Sequence, residues 1–438
     1  MTSAFKLDLG ALNSAPAHWS RRPLWTIVRR RDVTGRPDAE LLSVYRDYGV
    51  VPKSSREDNF NKPSEDLGAY RYVRPGDLVL NKMKTWQGSL GVSRNEGIVS
   101  PAYFVCEMSE DVDPRFAHHL LRSQPYIHLY RAVSKGIRPN QWDLPFEEFR
   151  QLPMLMPALD EQRRIADFLD AETARIDSLL GVQGRLAELL RERRAAGVAA
   201  AISGAHHVDR RASSLAWLET VPTAWQEVRL GLLAVMGSGH TPSRSHPEWW
   251  VDCKIPWITT GEVKRVRDDR IEEIHETRER ISEMGLANSA AELHPKGTVF
   301  LCRTASAGYS GVMGADMATS QDFVTWTCGR RLNPFYLLWC LRVMRPDLLG
   351  RLAMGSTHKT IYVPDLQMLR IPLPSIGEQG AIVSEIRCRN AKIDVLTDKV
   401  HRQQSLLAER RQALITAAVT GQFDVSTASG RNVTDGVQ

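Results

Sequence analysis

Residues 157–204 return in register 217 positions later, as residues 374–421. Glu161-Gln162 falls on Glu378-Gln379, Ile165 on Ile382, and Ile176-Asp177 on Ile393-Asp394. Leu189-Leu190 falls on Leu406-Leu407, Glu192-Arg193-Arg194 on Glu409-Arg410-Arg411, Ala200-Ala201 on Ala417-Ala418, and Gly204 on Gly421. Chance does not keep such a register, without a gap, over about fifty positions. The preceding stretches match more loosely. Pro16-x-x-Trp19 corresponds to Pro222-x-x-Trp225, and residues 74–80 to residues 295–301. Asp113-Pro114 with Leu121-Arg122 corresponds to Asn333-Pro334 with Leu341-Arg342. The period is far too long for a solenoid. The chain is therefore two halves, each a variable globular unit of about 140–150 residues followed by a closely repeated segment.

The repeated segments read as long helices. Ile176, Leu179, Gln183, Leu186, Leu190, Arg193 and Gly197 step by three and four, as do Ile393, Leu396, Val400, Gln403, Leu407, Arg410 and Leu414. That is a heptad seam. Pro157 and Pro374 precede the helices, and Gly204 and Gly421 stand where a helix-ending glycine belongs. Gly181 and Gly184 weaken the first helix by roughly 1 kcal/mol each relative to Ala, so it should be the more compliant one. A helix over about residues 160–203 would run roughly 60 Å, and its apolar stripe needs a partner. Pairing between the two helices, antiparallel, would relate the units by a pseudo-twofold; pairing between chains is the other reading. Arg191, Arg193, Arg194, Arg410 and Arg411 flank the seam and read as solvated or partner-facing rather than DNA-facing.

The globular units span about residues 16–157 and 221–374. Strand-like runs at 77–80, 103–106, 298–301 and 323–327 mix with helical stretches at 114–131 and 334–352 without regular alternation, which fits an α+β fold. Several loops combine basic, amide, hydroxyl and aromatic residues. Lys82, Lys84, Trp86 and Gln87 follow one strand; Arg138, Asn140, Gln141 and Trp142 follow one helix. In the second unit Thr241, Ser243 and Arg244 lie in GSGHTPSR, Arg303, Thr304 and Ser306 follow a strand, and His358, Lys359 and Thr360 mirror the Arg138 loop. Arg and Lys read guanine, Asn and Gln read adenine, and Ser, Thr and Lys hold phosphates. Any one of these is ordinarily a solvated loop residue; their pairing at equivalent places in two units is what points to nucleic acid.

Charge permits that partner without demanding it: 57 Lys+Arg against 51 Asp+Glu give +6. No apolar stretch approaches 18 residues and the start MTSAFKLDLG lacks an apolar leader region, so neither a membrane span nor a signal peptide is expected. Six scattered cysteines form no C-x-x-C pair, which fits reduced thiols in the cytoplasm and no zinc ribbon. P-loop, G-x-S-x-G and H-E-x-x-H motifs are missing. Asn333-Pro334-Phe335-Tyr336 is similar to the N-P-P-Y loop of adenine methyltransferases but lacks its second Pro, and reads as a helix start with Asn333 as cap. His206-His207 sits in a polar linker without further ligands, so no metal site is expected. The Ser, Thr, Gly and Asn-rich tail 425–438 and the linker 203–214 read as poorly ordered.

The order P-x-x-W, variable unit, P-x-x-x-E-Q, long helix ending in Gly, then all of it again, resembles the specificity subunit of type I restriction–modification systems. The resemblance runs from about Pro16 to Asp424, and the Pro75-Gly76-Asp77 and Lys296-Gly297 turns are also typical of that family. It implies a target-recognition domain over residues 1–157, a conserved helical spacer over 158–204, a linker and second target-recognition domain over 205–374, a second spacer over 375–423, and a disordered tail over 424–438. Each domain would read one half of a split double-stranded DNA target. The loop divergence makes that target asymmetric. The helices would fix the gap and dock two modification subunits, through Glu161, Gln162, Arg193, Arg194, Glu378, Gln379, Arg410 and Arg411. S-adenosylmethionine, ATP and Mg2+ would sit on partner subunits, with restriction subunits joining through the modification subunits. This chain would itself be non-catalytic.

Overall fold

The computed structural model describes residues 10–56, 63–64, 66–136, 142–354 and 359–427. It divides into two units: residues 1–183 with 402–438, and residues 184–401. Each unit thus holds one globular body together with portions of both long helices.

The body of the first unit is built on a four-stranded antiparallel sheet in the order Val28–Arg30, Tyr103–Met108, Leu78–Asn81, Leu90–Val92. Leu78–Asn81 is buried along its whole length because both sheet faces are covered. Side chains alternate along a strand. Leu78 and Leu80 therefore enter the main core beside Phe116 and Leu120, while Val79 enters a second core with Leu42, Val44 and Val99. The second unit repeats the plan. Its five-stranded sheet runs Ala234–Ser238, Phe323–Cys328, Val299–Cys302, Ser310–Met313, Glu273–Ile274. Val299 and Leu301 face one core, Phe300 and Cys302 the other. The mixed helix and strand content makes both bodies α+β.

Two helix expectations are refined. Residues 114–131 are not one helix but two, Pro114–Leu121 and Gln124–Val133. Pro125 stands in the first turn of the second, where its ring and missing N–H are tolerated. In the second unit Pro334–Asp347 runs unbroken into a π-helical turn, Leu348–Leu352. Asn333 caps that helix, accepting from Phe335 N and Tyr336 N, as Asp113 does from Arg115 N and Phe116 N.

The central helix, Leu159–Ile202, and the C-terminal helix, Ile376–Val419, have 44 residues each, about 65 Å. Gly204 and Gly421 follow them at φ +63° and +72°, the left-handed conformation that ends a helix. Within each unit the two helices pair with opposite chain direction. In the first, Asp177 bonds Arg411 Nε at 3.0 Å, and Leu414, Ile415 and Ala418 share a core with Ile165 and Leu169. In the second, Asp394 forms an ion pair with Arg194, 3.2 Å from its Nε, and Val198 and Ile202 share a core with Ile382 and Ile386. The two ion pairs are equivalents under the 217-residue repeat.

The seam follows a register different from the one the leucines suggest. Ile176, Leu190, Ile393, Val400 and Leu414 are buried as expected. Leu179, Leu186 and Leu396 instead lie outside at 44%, 40% and 49% exposure. Their neighbours Leu180, Ala187 and Thr397 are the residues turned inward. A period of 3.6 lets either neighbour follow a buried residue. The inward choice is decided by packing, with small Ala187 beside Leu190, Ile393 and Val400. Thr397 satisfies its hydroxyl on Ile393 O at 2.9 Å.

Candidate nucleic-acid interface

In the second unit three loops meet at one turn, Gln321-Asp322, just before the strand Phe323–Cys328. The loop after Val299–Cys302 supplies Arg303, whose Nε donates to Gln321 O at 3.1 Å and whose backbone N donates to Asp322 O at 2.7 Å. The Thr304 hydroxyl is held by the Asp322 carboxylate. Thr241 donates to Gln321 Oε1 at 2.5 Å. Ile361 N donates to Arg303 O at 2.8 Å, which brings the Thr360–Ile361 strand and Lys359 alongside. Lys359 is exposed, with Nζ 3.3 Å from Leu349 O. Ser306 is half-buried in the Arg303 loop. Ser243 bonds Ser245, and its carbonyl accepts from Trp250 Nε1 at 3.1 Å. Arg244 lies beside them with its guanidinium 4.4 Å from the Trp250 ring centre and its side chain 70% exposed. His358 lies outside the described residues.

The first unit brings its two loops together in a related way. Lys82 Nζ bonds Asp143 at 3.1 Å, and Leu144 N donates to Lys82 O at 3.0 Å. Lys135 and Asp143 exchange backbone hydrogen bonds of 2.9 and 2.8 Å. Lys84 is exposed and Gln87 half-buried. Arg138, Asn140 and Gln141 lie outside the described residues, between Lys135 and Trp142.

Trp86 is a correction. It is 7% exposed, packs 5.1 Å from Trp142, and donates its indole N–H to Met83 O at 3.0 Å. It is a wall beneath the loop, not a platform for a base. Gln321 and Trp250 were missed by the sequence reading. Their only signals are the polar triplet Ser320-Gln321-Asp322 ahead of an apolar strand and an aromatic a few residues after GSGHTPSR.

Residues 222–389 match the family model described as the type I restriction modification DNA specificity domain. The chain is 20% identical to the putative type I restriction enzyme MjaX specificity subunit of Methanocaldococcus jannaschii, over 96% of this chain and 97% of that protein. It is also 20% identical to the type I restriction enzyme StySPI specificity subunit of Salmonella potsdam, over 93% of this chain and 90% of that one. Among solved structures, a chain from a study of complex assembly and conformational transition of the type I R-M system has a TM-score of 0.69 at 21% identity, covering 93% of this chain and 99% of that one. The HsdS subunit from Thermoanaerobacter tengcongensis has a TM-score of 0.53 at 19% identity, covering 93% and 98%. Over nearly its whole length the chain is similar to specificity subunits of type I restriction–modification systems.

The most conspicuous repeated motif of the chain turns inward. Gln162 is fully buried. Its Oε1 accepts from Asp113 N at 2.8 Å, and its Nε2 donates to Asp111 O at 3.1 Å and Pro157 O at 3.0 Å. Gln379 is equally buried and repeats the pattern with Asn333 N, Arg331 O and Pro374 O at 2.8, 3.0 and 3.0 Å. Each glutamine ties the start of a long helix to the capped start of a shorter one. The neighbouring glutamates bind the tryptophans of P-x-x-W. Glu161 Oε1 accepts from Trp19 Nε1 at 3.0 Å, and Glu378 accepts from Trp225 Nε1 at 3.2 Å. Gly421 and Gly204 leave room for the same rings: a Cβ on Gly421 would run into Pro16 and Trp19, and one on Gly204 into Pro222 and Trp225. The expectation that Gln162 and Gln379 face a partner is therefore overturned. Arg194 and Arg411 are likewise engaged across the helix pair, Arg194 also donating to Asp269 O at 2.9 Å. Arg193 is exposed and Arg410 half-buried.

The expectation that His206-His207 stands alone in its linker is refined, because the fold brings the Glu378 carboxylate beside it. His207 Nε2 lies 2.9 Å from Glu378 Oε1. All six cysteines are free, and among the described residues no helix is long and apolar enough to cross a membrane.

Proposed function

We propose that each globular body reads one half of a split, asymmetric DNA target, and that the helices carry two modification subunits. What supports the first part is one observation. The same loop leaves the central strand of each body and meets the neighbouring polar loops. Yet it carries Lys82, Lys84 and Gln87 in one body and Arg303, Thr304 and Ser306 in the other. Equivalent placement with different donors and acceptors is what two readers of different half-sites require. Gln321, Arg244, Lys359 and Thr360 complete the reading surface of the second body; from sequence, Arg138, Asn140 and Gln141 remain assigned to that of the first body and His358 to that of the second.

The second part is supported by apolar side chains that the helix pair leaves uncovered. Leu179, Val182 and Leu406 are exposed in the first unit, and Leu186, Leu189, Val395 and Leu396 in the second. Exposed leucines at helical spacing call for further helices. Arg193 and Arg410 flank them. Modification subunits would bring S-adenosylmethionine, and restriction subunits held through them would bring ATP and Mg2+. Methylating a base in a duplex needs base flipping, which a reader alone does not supply. The cytoplasm is where these partners and the DNA meet.

The test is co-expression with a modification subunit in a methylation-free host, followed by mapping of modified adenines. The expected result is a split motif with an unread gap. Replacing residues 16–156 with those of another specificity subunit should change one half of that motif and leave the other. A motif untouched by the replacement would rule out the reading.

A further inference from the structure

The turn at Gly204 leads straight into His206 and His207, and in the second unit these lie against the first turn of the C-terminal helix. One ligand atom from each of His206, His207 and Glu378 falls within 4.8 Å of the other two. The two imidazole centres are 4.4 Å apart. The Glu378 carboxylate is already oriented, since Trp225 Nε1 reaches both of its oxygens at 3.2 Å.

We propose that His206, His207 and Glu378 bind one divalent transition-metal cation, with Zn2+ the best match. Two imidazoles and a carboxylate are a donor set that zinc takes at about 2.0–2.2 Å, with a fourth position left for water. The hard cations Ca2+ and Mg2+ prefer oxygen-only sites. An indole N–H on the carboxylate is the outer support that metal-binding side chains ordinarily have. His206 is exposed and can swing its ring by the small amount closure requires. His207 Nε2 lies 2.9 Å from Glu378 Oε1. On binding, Nε2 would give its lone pair to the cation while the imidazole carries its N–H on Nδ1. The ligands are 171 residues apart in sequence. The cation would therefore clasp the residues just past the end of the central helix to the start of the C-terminal one.

The repeat supplies an internal control. Phe423 and Asp424 occupy the positions of His206 and His207 in the first unit. There Phe423 packs on Phe168 instead, 5.6 Å between ring centres. Glu161 receives a single imidazole, that of His18, whose side chain is 65% exposed. Among the described residues His206, His207 and Glu378 are the one such trio. The expected stoichiometry is therefore one cation per chain.

The experiment uses the full chain without an affinity tag, stripped with chelator and titrated with Zn2+, and separately with Co2+ as a spectroscopic probe. Expected are one equivalent of Zn2+ by calorimetry, Co2+ visible absorption bands, and a rise in unfolding temperature with zinc. His206→Asn and the double variant His206→Asn/His207→Asn should lose all three while unfolding like the parent in chelator. His18→Asn should keep them. No stoichiometric uptake would overturn the proposal. So would uptake that survives in the double variant, which would place the cation on others of the chain's 12 histidines.

Discussion

Gln162 spends every polar group of its side chain inside the first unit. Three backbone groups, Asp113 N, Asp111 O and Pro157 O, depend on it. An unmade hydrogen bond on a buried group costs about 1–3 kcal/mol. Gln162→Leu should therefore lower stability by at least about 3 kcal/mol, and Gln162→Glu by a comparable amount although it is nearly isosteric, because it sets a carboxylate oxygen against two carbonyls. Chemical denaturation of both variants checks this; wild-type stability with weakened subunit association would restore the partner-facing reading. The sequence displays the Glu-Gln pair through its repetition, but repetition does not say which way a side chain turns. A docking pair and a bridging pair have the same spacing. The deciding facts are the helix starts at Asp113 and Asn333, each with a backbone N–H that needs an acceptor, and those lie 49 and 46 residues away. Trp86 was misread for a related reason. Its indole N–H finds Met83 O within its own turn, so the ring is free to pack inward.

At the scale of elements, helix starts, helix ends and strand cores were legible because each has a local cause. Asp113-Pro114 and Asn333-Pro334 cap helices, and Gly204 and Gly421 end them. The seam was only half legible. Ile393 and Val400 are seven apart and buried on either reading, whereas the position between them is contested by Leu396 and Thr397. Hydrophobicity favours the leucine; the close approach of two helices favours the smaller residue. The leucines so displaced make a prediction. Leu186→Glu with Leu396→Glu alters side chains 40% and 49% exposed, so chain stability should change by no more than about 0.5 kcal/mol. Association with the modification subunit should nevertheless fall at least tenfold, since two buried apolar anchors are replaced by charges. Co-purification and a melting curve on the same variant separate the two effects. A stable complex would place the docking face elsewhere.

The whole chain is one plan written twice, yet at one equivalent helix position its two bodies are fastened with opposite charge. In the first unit the helix offers acids: Asp167 meets Arg115 at 2.6 Å, and Asp170 meets His119 at 2.9 Å and Arg94 at 3.5 Å. The hydrogen bond from His119, with the nearby positive charges, holds the Asp170 carboxyl below its usual range. Its contribution is therefore present above the ordinary carboxylate range and is lost only as pH falls through that lowered value. In the second unit the residue equivalent to Asp170 is Arg387, which meets Glu272 at 2.6 Å and lies 4.2 Å from the Phe335 ring centre. Phe335 stands where the first body has Arg115. By contrast, the tryptophan, glutamate, glutamine and glycine contacts are common to both units. A body moved to the other position would find those contacts waiting but would meet the wrong charge. A chain carrying residues 222–373 in place of 16–156 would set Glu272 against Asp170. We expect it to be less stable than the parent by about 1–2 kcal/mol, from a lost pair and a new repulsion at partly exposed sites. Asp170→Arg in the same chain should restore most of the difference, and that substitution in the parent should instead weaken it. Unfolding temperatures of the four proteins decide the matter. Equal stability of the exchanged chain with Asp170 and with Arg at that position would mean that the charges do not key each body to its helix.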